Sequence, residues 1–291
     1  MIKKMFPIFI HLFSFSILLS SDNHPKKRFF DRERHAAKIM GREDRKYGDH
    51  SGNRVLCRFY NHGSIGDQSS SFSGVYPIGS GHSYIWEFSP IIAASVVDTN
   101  GFRRHIVSDG ISGLLDASPE GTPWSFEPLE GYANPNQDNL AMSDDASSWP
   151  NSWPNRTEDW NGEWNGQYGK YVRADQESYF VVDDYYNSEF EFWPDDDDKP
   201  ESIIESPDDH RRGLGIEMEA RGYQWNHPAA EDIIIVTYWI TNVGSSVLDS
   251  VVFGMYGDAD IGGASSFSDD DAWFDTENDM VYQWDHDNWS S

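Results

Sequence analysis

The sequence predicts a mainly β protein, a β-sandwich of immunoglobulin or jelly-roll type with long irregular Trp-rich and acidic loops. Three observations carry this expectation. Short apolar runs recur between clusters of Gly, Pro, Asn and Ser, the punctuation of an all-β chain. No stretch sustains a long helical period. Aromatic residues are abundant, with 12 Trp, 14 Tyr and 17 Phe in 291 residues, so the formal net charge of −27 belongs to a folded chain and not to acidic disorder.

The charge is unevenly spread. Up to Tyr60 there are thirteen Lys/Arg against six Asp/Glu, and from Asn61 onward nine against forty-three. A body so acidic repels phosphate backbones, which excludes nucleic acid as a partner.

Residues 1–21 have the three-part layout of a secretory signal peptide. Lys3 and Lys4 precede an apolar run from Met5 to Leu19, and the small residues Ser20 and Ser21 follow. The run is too short for a comfortable membrane span, so no transmembrane segment is expected after its removal. No Cys follows the run, which leaves out a lipoprotein cleavage site. The single Cys57 cannot form an internal disulfide, and no Cys/His spacing suggests zinc. An exported chain without disulfides points to a bacterial product, secreted or held at the cell surface.

Residues 22–52 read as a basic, flexible leader with room for a short helix around Arg32–Met40. Residues 53–112 read as an N-terminal β region, with Val55–Tyr60, Ser83–Phe88, Ile91–Val97 and Arg103–Val107 as its apolar runs. Residues 113–212 read as an irregular aromatic and acidic insert, within which Ala174–Val182 has the look of a strand. Residues 213–291 read as the β-sandwich module. Leu214–Ala220 alternates apolar with polar, the period of a half-buried strand. Glu231–Val243 is the strongest strand, and Leu248–Tyr256 is expected to return beside it as a hairpin. Met280–Trp284 offers one more strand. A sandwich needs about seven strands and fewer are visible after Gly213, so either earlier segments complete it or the chain is a fragment of a longer protein.

Two stretches carry candidate chemistry. In the insert, Trp149, Trp153, Trp160 and Trp164 lie among Pro, Asn and acids. Their rings are either stacking platforms for sugars or plugs that bury roughly 150–250 Å² each at the end of a sandwich. The second stretch runs from Gly254 to Asp287. Asp258, Asp260, Asp269, Asp270, Asp271, Asp275, Glu277 and Asp279 fall within 22 residues. Each carboxylate disfavours the ionisation of its neighbours, and a hard cation with six to eight oxygen ligands relieves that repulsion. A twelve-residue calcium loop fits with Asp258 first, Asp260 third, Gly263 sixth, Ser266 ninth and Asp269 twelfth. Gly262 stands at the fifth place, where an oxygen side chain is usual, and the flanks read as strands. The expectation is therefore a calcium loop on a β scaffold, with Asp270, Asp271 and Asp275 as further ligands; a solvated acidic turn is the other reading.

Enzymatic signals are poor. No Gly-x-Ser-x-Gly elbow, HExxH or Walker loop occurs. His227, in Trp225-Asn226-His227-Pro228, is the one histidine placed to suggest catalysis, against a structural role in a Pro-bounded turn.

The segment RGLGIEMEARGYQWNHPAAEDIIIVTYWITNVGSSVLDSVVFGMYGDADIG resembles a module of large exported proteins of marine and gliding-type bacteria. There a TNxG…FGxYxDxDIG…DDD pattern follows a signal peptide. The resemblance covers roughly Asp175 to Asp287, with an echo at Tyr76–Ile92. It implies fibronectin-type or other immunoglobulin-like repeats downstream and a C-terminal sorting domain of type IX secretion, but it implies no activity. The sequence thus predicts an exported structural or binding module, calcium-stabilised, with cell-surface polysaccharide or other surface proteins as partners. The alternative is a secreted carbohydrate-binding or carbohydrate-active protein that uses the Trp-rich insert.

Overall fold

The computed structural model describes residues 44–66, 73–98, 100–112, 117–119, 124–190, 213–244, 247–261 and 270–285. The signal peptide and the helix expected near Arg32–Met40 lie outside them. Twelve strands follow in order: β1 (Tyr47–His50), β2 (Cys57–Tyr60), β3 (Glu87–Val97), β4 (Arg103–Asp109), β5 (Glu127–Pro128), β6 (Ala141–Met142), β7 (Gln176–Asp183), β8 (Ile216–Gln224), β9 (Ile235–Asn242), β10 (Asp249–Asp258), β11 (Asp270–Asp275) and β12 (Met280–Asp285).

Most of these strands form two antiparallel layers. One has the order β10-β3-β4, with the β1–β2 hairpin joined through the bridges of Ile65 to Phe59 and Phe88. The other has the order β5-β7-β8-β9, with β6 also on β7. Period-two alternation decides what each strand turns inward. Ile92, Ala94 and Val96 of β3 and Ile106 of β4 meet Phe180 and Val182 of β7, Met218 and Ala220 of β8, and Val236 and Tyr238 of β9 in one core. The chain is a β-sandwich.

Pro90 lies inside β3, the middle strand of its layer, where a missing N–H is usually costly. Its carbonyl accepts from Gly110 N at 2.9 Å, so the side lacking a donor faces the chain just past the end of β4. No ladder bond of β4 is lost there.

The structure corrects three expectations. Tyr47–His50, inside the leader of residues 22–52, is a strand, in register with Tyr60 through Cys57. Residues 113–212 do more than interrupt the fold: β7 lies between β5 and β8 and is buried along its whole length. The hairpin expected from Glu231–Val243 and Leu248–Tyr256 does not form. Instead β9 pairs with β8 and β10 pairs with β3, so the chain crosses from one layer to the other between them. Val236 and Tyr238 then meet Phe253 and Met255 across the core, with the Tyr238 and Phe253 ring centroids 5.5 Å apart. Alternation is the same in a hairpin as in a crossing of layers, so it could not choose between them. The missing strands of the sandwich come from earlier segments, β3 and β7 among them.

A third layer of irregular chain covers β7 on the side away from this core. Tyr179 and Val181 point outward into a second cluster with Tyr132, Ala141, Trp153 and Trp164. Among the described residues the separate β11–β12 hairpin forms a two-stranded sheet of its own.

Candidate functional site

β3 and β10 bring the first acidic group together. Asp258 closes β10 directly opposite Glu87, the first residue of β3, and its carbonyl accepts from Trp86 N at 2.9 Å. Glu87 is 2 % exposed, and its Oε1 accepts from Ser64 Oγ and Ser89 Oγ at 2.8 Å and from Ser112 N at 2.6 Å. The Asp258 carboxylate accepts from Tyr256 OH at 3.1 Å. Burial, and then that carboxylate, push the Tyr256 hydroxyl up to about 12. Two residues on, Asp260 is buried, and Ile261 N donates to Asp270 Oδ2 at 3.0 Å, which ties the start of β11 to the end of β10. Burial first, then the Asp258 and Asp270 carboxylates, raise the Asp260 carboxyl above the usual range.

The six acids proposed as ligands therefore separate. Asp258, Asp260 and Asp270 share one corner. Asp269, with the rest of 262–269, lies outside the described residues. Asp271 is exposed and points to the opposite face of β11 from Asp270. Asp275 is at the far end of β11, roughly 17 Å along the strand, so it cannot join the corner. It organises the next turn instead, accepting from Glu277 N at 2.9 Å, Asn278 N at 3.2 Å and Asn278 Nδ2 at 2.8 Å. Those bonds hold its carboxyl below the usual range. Among the described residues no three His, Cys, Asp or Glu side chains are arranged closely enough to hold a metal ion. A complete cation shell at the corner would need oxygens from 262–269.

The four tryptophans also separate. Trp153 and Trp164 are each 2 % exposed and stack edge-to-face at 5.9 Å, so their rings are interior and closed to a sugar. Trp164 Nε1 donates to Glu177 Oε2 at 2.7 Å and Trp153 Nε1 to the Glu163 carbonyl at 2.9 Å. This is the packing role, and it corrects the stacking expectation for these two residues. A buried indole N–H must find an acceptor, and both do. Trp149 is half-buried, 5.5 Å from Trp164, with its Nε1 on the Met142 carbonyl at 2.6 Å. Trp160 is half-buried beneath cations, with Arg156 Cζ 4.4 Å and Lys170 Nζ 5.5 Å from its ring centre.

Glu177 holds this layer to the sheet and gave no signal in the sequence. It is 1 % exposed, and its Oε1 accepts from Arg173 N at 2.5 Å and Ala174 N at 3.1 Å while Oε2 takes the Trp164 indole. Residues that sequence reasoning passed over project from the same layer: Tyr168 is 68 % and Tyr171 49 % exposed. The run Gly166-Gln167-Tyr168-Gly169 was the available signal, a turn carrying an aromatic at its tip. His227 is exposed, and its Nδ1 accepts from Ala229 N at 3.2 Å, the structural role of a turn.

A cavity of about 270 Å³ lies beside β7, lined by Lys46, Leu129, Tyr132, Leu140, Phe180 and Val181 among others. No helix among the described residues is long and apolar enough to cross a membrane. Comparison of the chain with protein-family models, with curated proteins and with solved structures gives no match.

Proposed function

We propose that the chain is an exported structural or binding module of a bacterial surface, immunoglobulin-like in its role and stabilised by calcium at the Asp258–Asp260–Asp270 corner. One observation supports the cation most: the Asp260 carboxyl is raised by burial first and then by two neighbouring carboxylates, Asp258 and Asp270. A divalent cation removes that penalty, since it favours all three charged forms at once. The signal-peptide layout and the TNxG…FGxYxDxDIG pattern support export.

Extracellular calcium modules bind at about 10⁻⁴–10⁻³ M, and a ligand of the folded state at tenfold excess stabilises by about 1.4 kcal/mol. Calcium at millimolar concentration therefore raises the melting temperature by a few degrees. Equimolar magnesium does less, because it prefers a rigid octahedron and gives up water reluctantly. A melting curve indifferent to calcium rejects the cation. N-terminal sequencing of exported material tests the compartment: mature chain beginning near Asp22 is the expected result, and retained Met1 contradicts it.

The second reading is a secreted carbohydrate-binding protein that uses the aromatic cover of β7. The observation favouring it is the pair of rings, Tyr168 and Tyr171, that this layer turns to solvent.

A further inference from the structure

We propose that the loop 166–173 is the glycan-binding element of the cover and that it selects sugars carrying a carboxylate or sulfate. The proposal rests on the carbohydrate-binding reading and names both its site and its ligand class.

The loop is built to hold its tip out. Gly166 and Gly169 pair as an antiparallel bridge. A Cβ on Gly166 would sit 2.5 Å from the carbonyl oxygens of Gly169 and Tyr171, and one on Gly169 would sit 2.6 Å from the Tyr171 ring. Only glycine lets the two arms close this tightly. Gln167 and Tyr168 are left at the tip, and Gln167 Oε1 accepts from Tyr223 OH at 2.9 Å. The base of the loop is fixed by Arg173 N on the buried Glu177 and by the Arg173 carbonyl, which accepts from Trp225 Nε1 at 3.1 Å. Trp225 in turn stacks on Tyr223 at 14°.

The Arg173 side chain is the chemical centre. Its Cζ lies 4.9 Å from the Tyr168 ring centre and 5.0 Å from that of Tyr171, and Nη2 donates to Tyr171 OH at 2.6 Å. Lys170, alongside, is paired with Asp159 at 2.7 Å. Arg173 makes no ion pair among the described residues. Arg156 and Arg221 are also without an ion pair there, but Arg156 is half-buried and bonded to Asn165 Oδ1, and Arg221 is buried and bonded to the Asn165 carbonyl, whereas Arg173 is exposed. An exposed guanidinium of fixed orientation offers two parallel N–H donors, the geometry that carboxylate and sulfate oxygens accept. The outer faces of two exposed tyrosines beside it present flat apolar surface for the C–H face of a pyranose. The net charge opposes any polyanion at long range, but screening limits that to about 8 Å at physiological ionic strength. The short-range contact at Arg173 therefore decides the preference.

The test is affinity electrophoresis of the whole mature chain in gels containing a polyuronate or, in parallel, the same polymer with its carboxyl groups reduced to alcohols. A sulfated neutral polymer is the third arm. The polyuronate or the sulfated polymer is expected to retard the chain at least about tenfold more strongly than the reduced polymer, the scale of one charge-assisted hydrogen bond. Arg173→Gln is expected to abolish that preference, and Tyr168→Ala with Tyr171→Ala to abolish retardation by all three. Melting temperatures of these variants are expected to match the parent, because the replaced side chains are exposed. Equal retardation by the reduced polymer, or an Arg173→Gln chain that keeps the preference, overturns the proposal while leaving the carbohydrate reading standing. No retardation by any polymer overturns both.

Discussion

His50 is a side chain whose protonation opposes the fold. It is fully buried on β1, with Nε2 2.8 Å from Ser178 Oγ, and Gly222 leaves the space it occupies: a Cβ there would lie 2.7 Å from Nε2. Burial pushes its pKa down to about 3, against the opposing hydrogen bond of Gln224. In the unfolded chain the ring titrates near its ordinary 6.5. Between these values the unfolded state binds a proton that the native state refuses. Stability is therefore fully present above about 6.5 and lost as the pH falls toward 3, at about 1.4 kcal/mol per unit. Urea denaturation at pH 7 and pH 5 is expected to show His50→Gln losing about 2 kcal/mol less than the parent over that interval; parallel losses contradict it. Cys57 is the quieter case. Burial first raises its thiol to about 12, so native protein is expected to resist alkylation at pH 8, and rapid labelling contradicts the assignment.

Asp184 is a buried carboxylate with a structural task. Its Oδ2 accepts from Leu214 N at 2.6 Å and Ser108 Oγ at 2.9 Å, and its Oδ1 from Ile216 N at 2.9 Å. It thereby fastens the start of β8 to β4. None of these partners is near it in sequence, which is why the carboxylate reads as one more surface acid until the strands are paired.

At the scale of the element, β7 organises the molecule. Phe180 and Val182 enter the sandwich core while Tyr179 and Val181 anchor the aromatic cover. The strand was legible from its apolar run, but not its burial on both faces, because the covering layer lacks periodicity. Trp153 and Trp164 show the same limit: a tryptophan among Pro and Asn reads alike as a platform or as a plug, and only the position of the sheet beneath decides. Glu177 joins the two roles, since it binds both the Trp164 indole and the base of the 166–173 loop. Trp164→Ala is expected to cost about 3–5 kcal/mol. Glu177→Gln, which replaces a buried carboxylate that accepts three N–H bonds, is expected to destabilise by roughly 2–3 kcal/mol. Chemical denaturation checks both, and changes below about 0.5 kcal/mol contradict the cover as a packed layer. The order β10-β3-β4 was the least legible feature. It depends on which strands lie side by side, as Phe253 of β10 does beside Ile92 of β3, and alternation does not encode partners.

For the whole molecule the dominant fact is charge. The acidic corner was legible as a cluster but not as a geometry. Asp258 and Asp260 are close in sequence, whereas Asp270 stands ten residues further on and is tied to them through Ile261 N, and Asp275 is carried away by the rise of β11. Without a cation, ionising Asp260 costs folding stability, because its folded carboxyl holds a proton more tightly than the unfolded one. That stability is present below the ordinary carboxylate pKa of 3.8 and is lost as the pH rises through the raised value. A cation competes with the same proton, so calcium binding weakens as the pH falls through it. Calcium binding at the corner is tested by titration calorimetry of the whole mature chain at pH 7, beside Asp258→Asn with Asp260→Asn and beside Glu277→Gln with Asp279→Asn. Saturable heat at about 10⁻⁴–10⁻³ M calcium is expected for the parent. The Glu277 and Asp279 pair should match it, while the Asp258 and Asp260 pair should show little heat. Absence of saturable heat in the parent, or equal heats in all three chains, contradicts it.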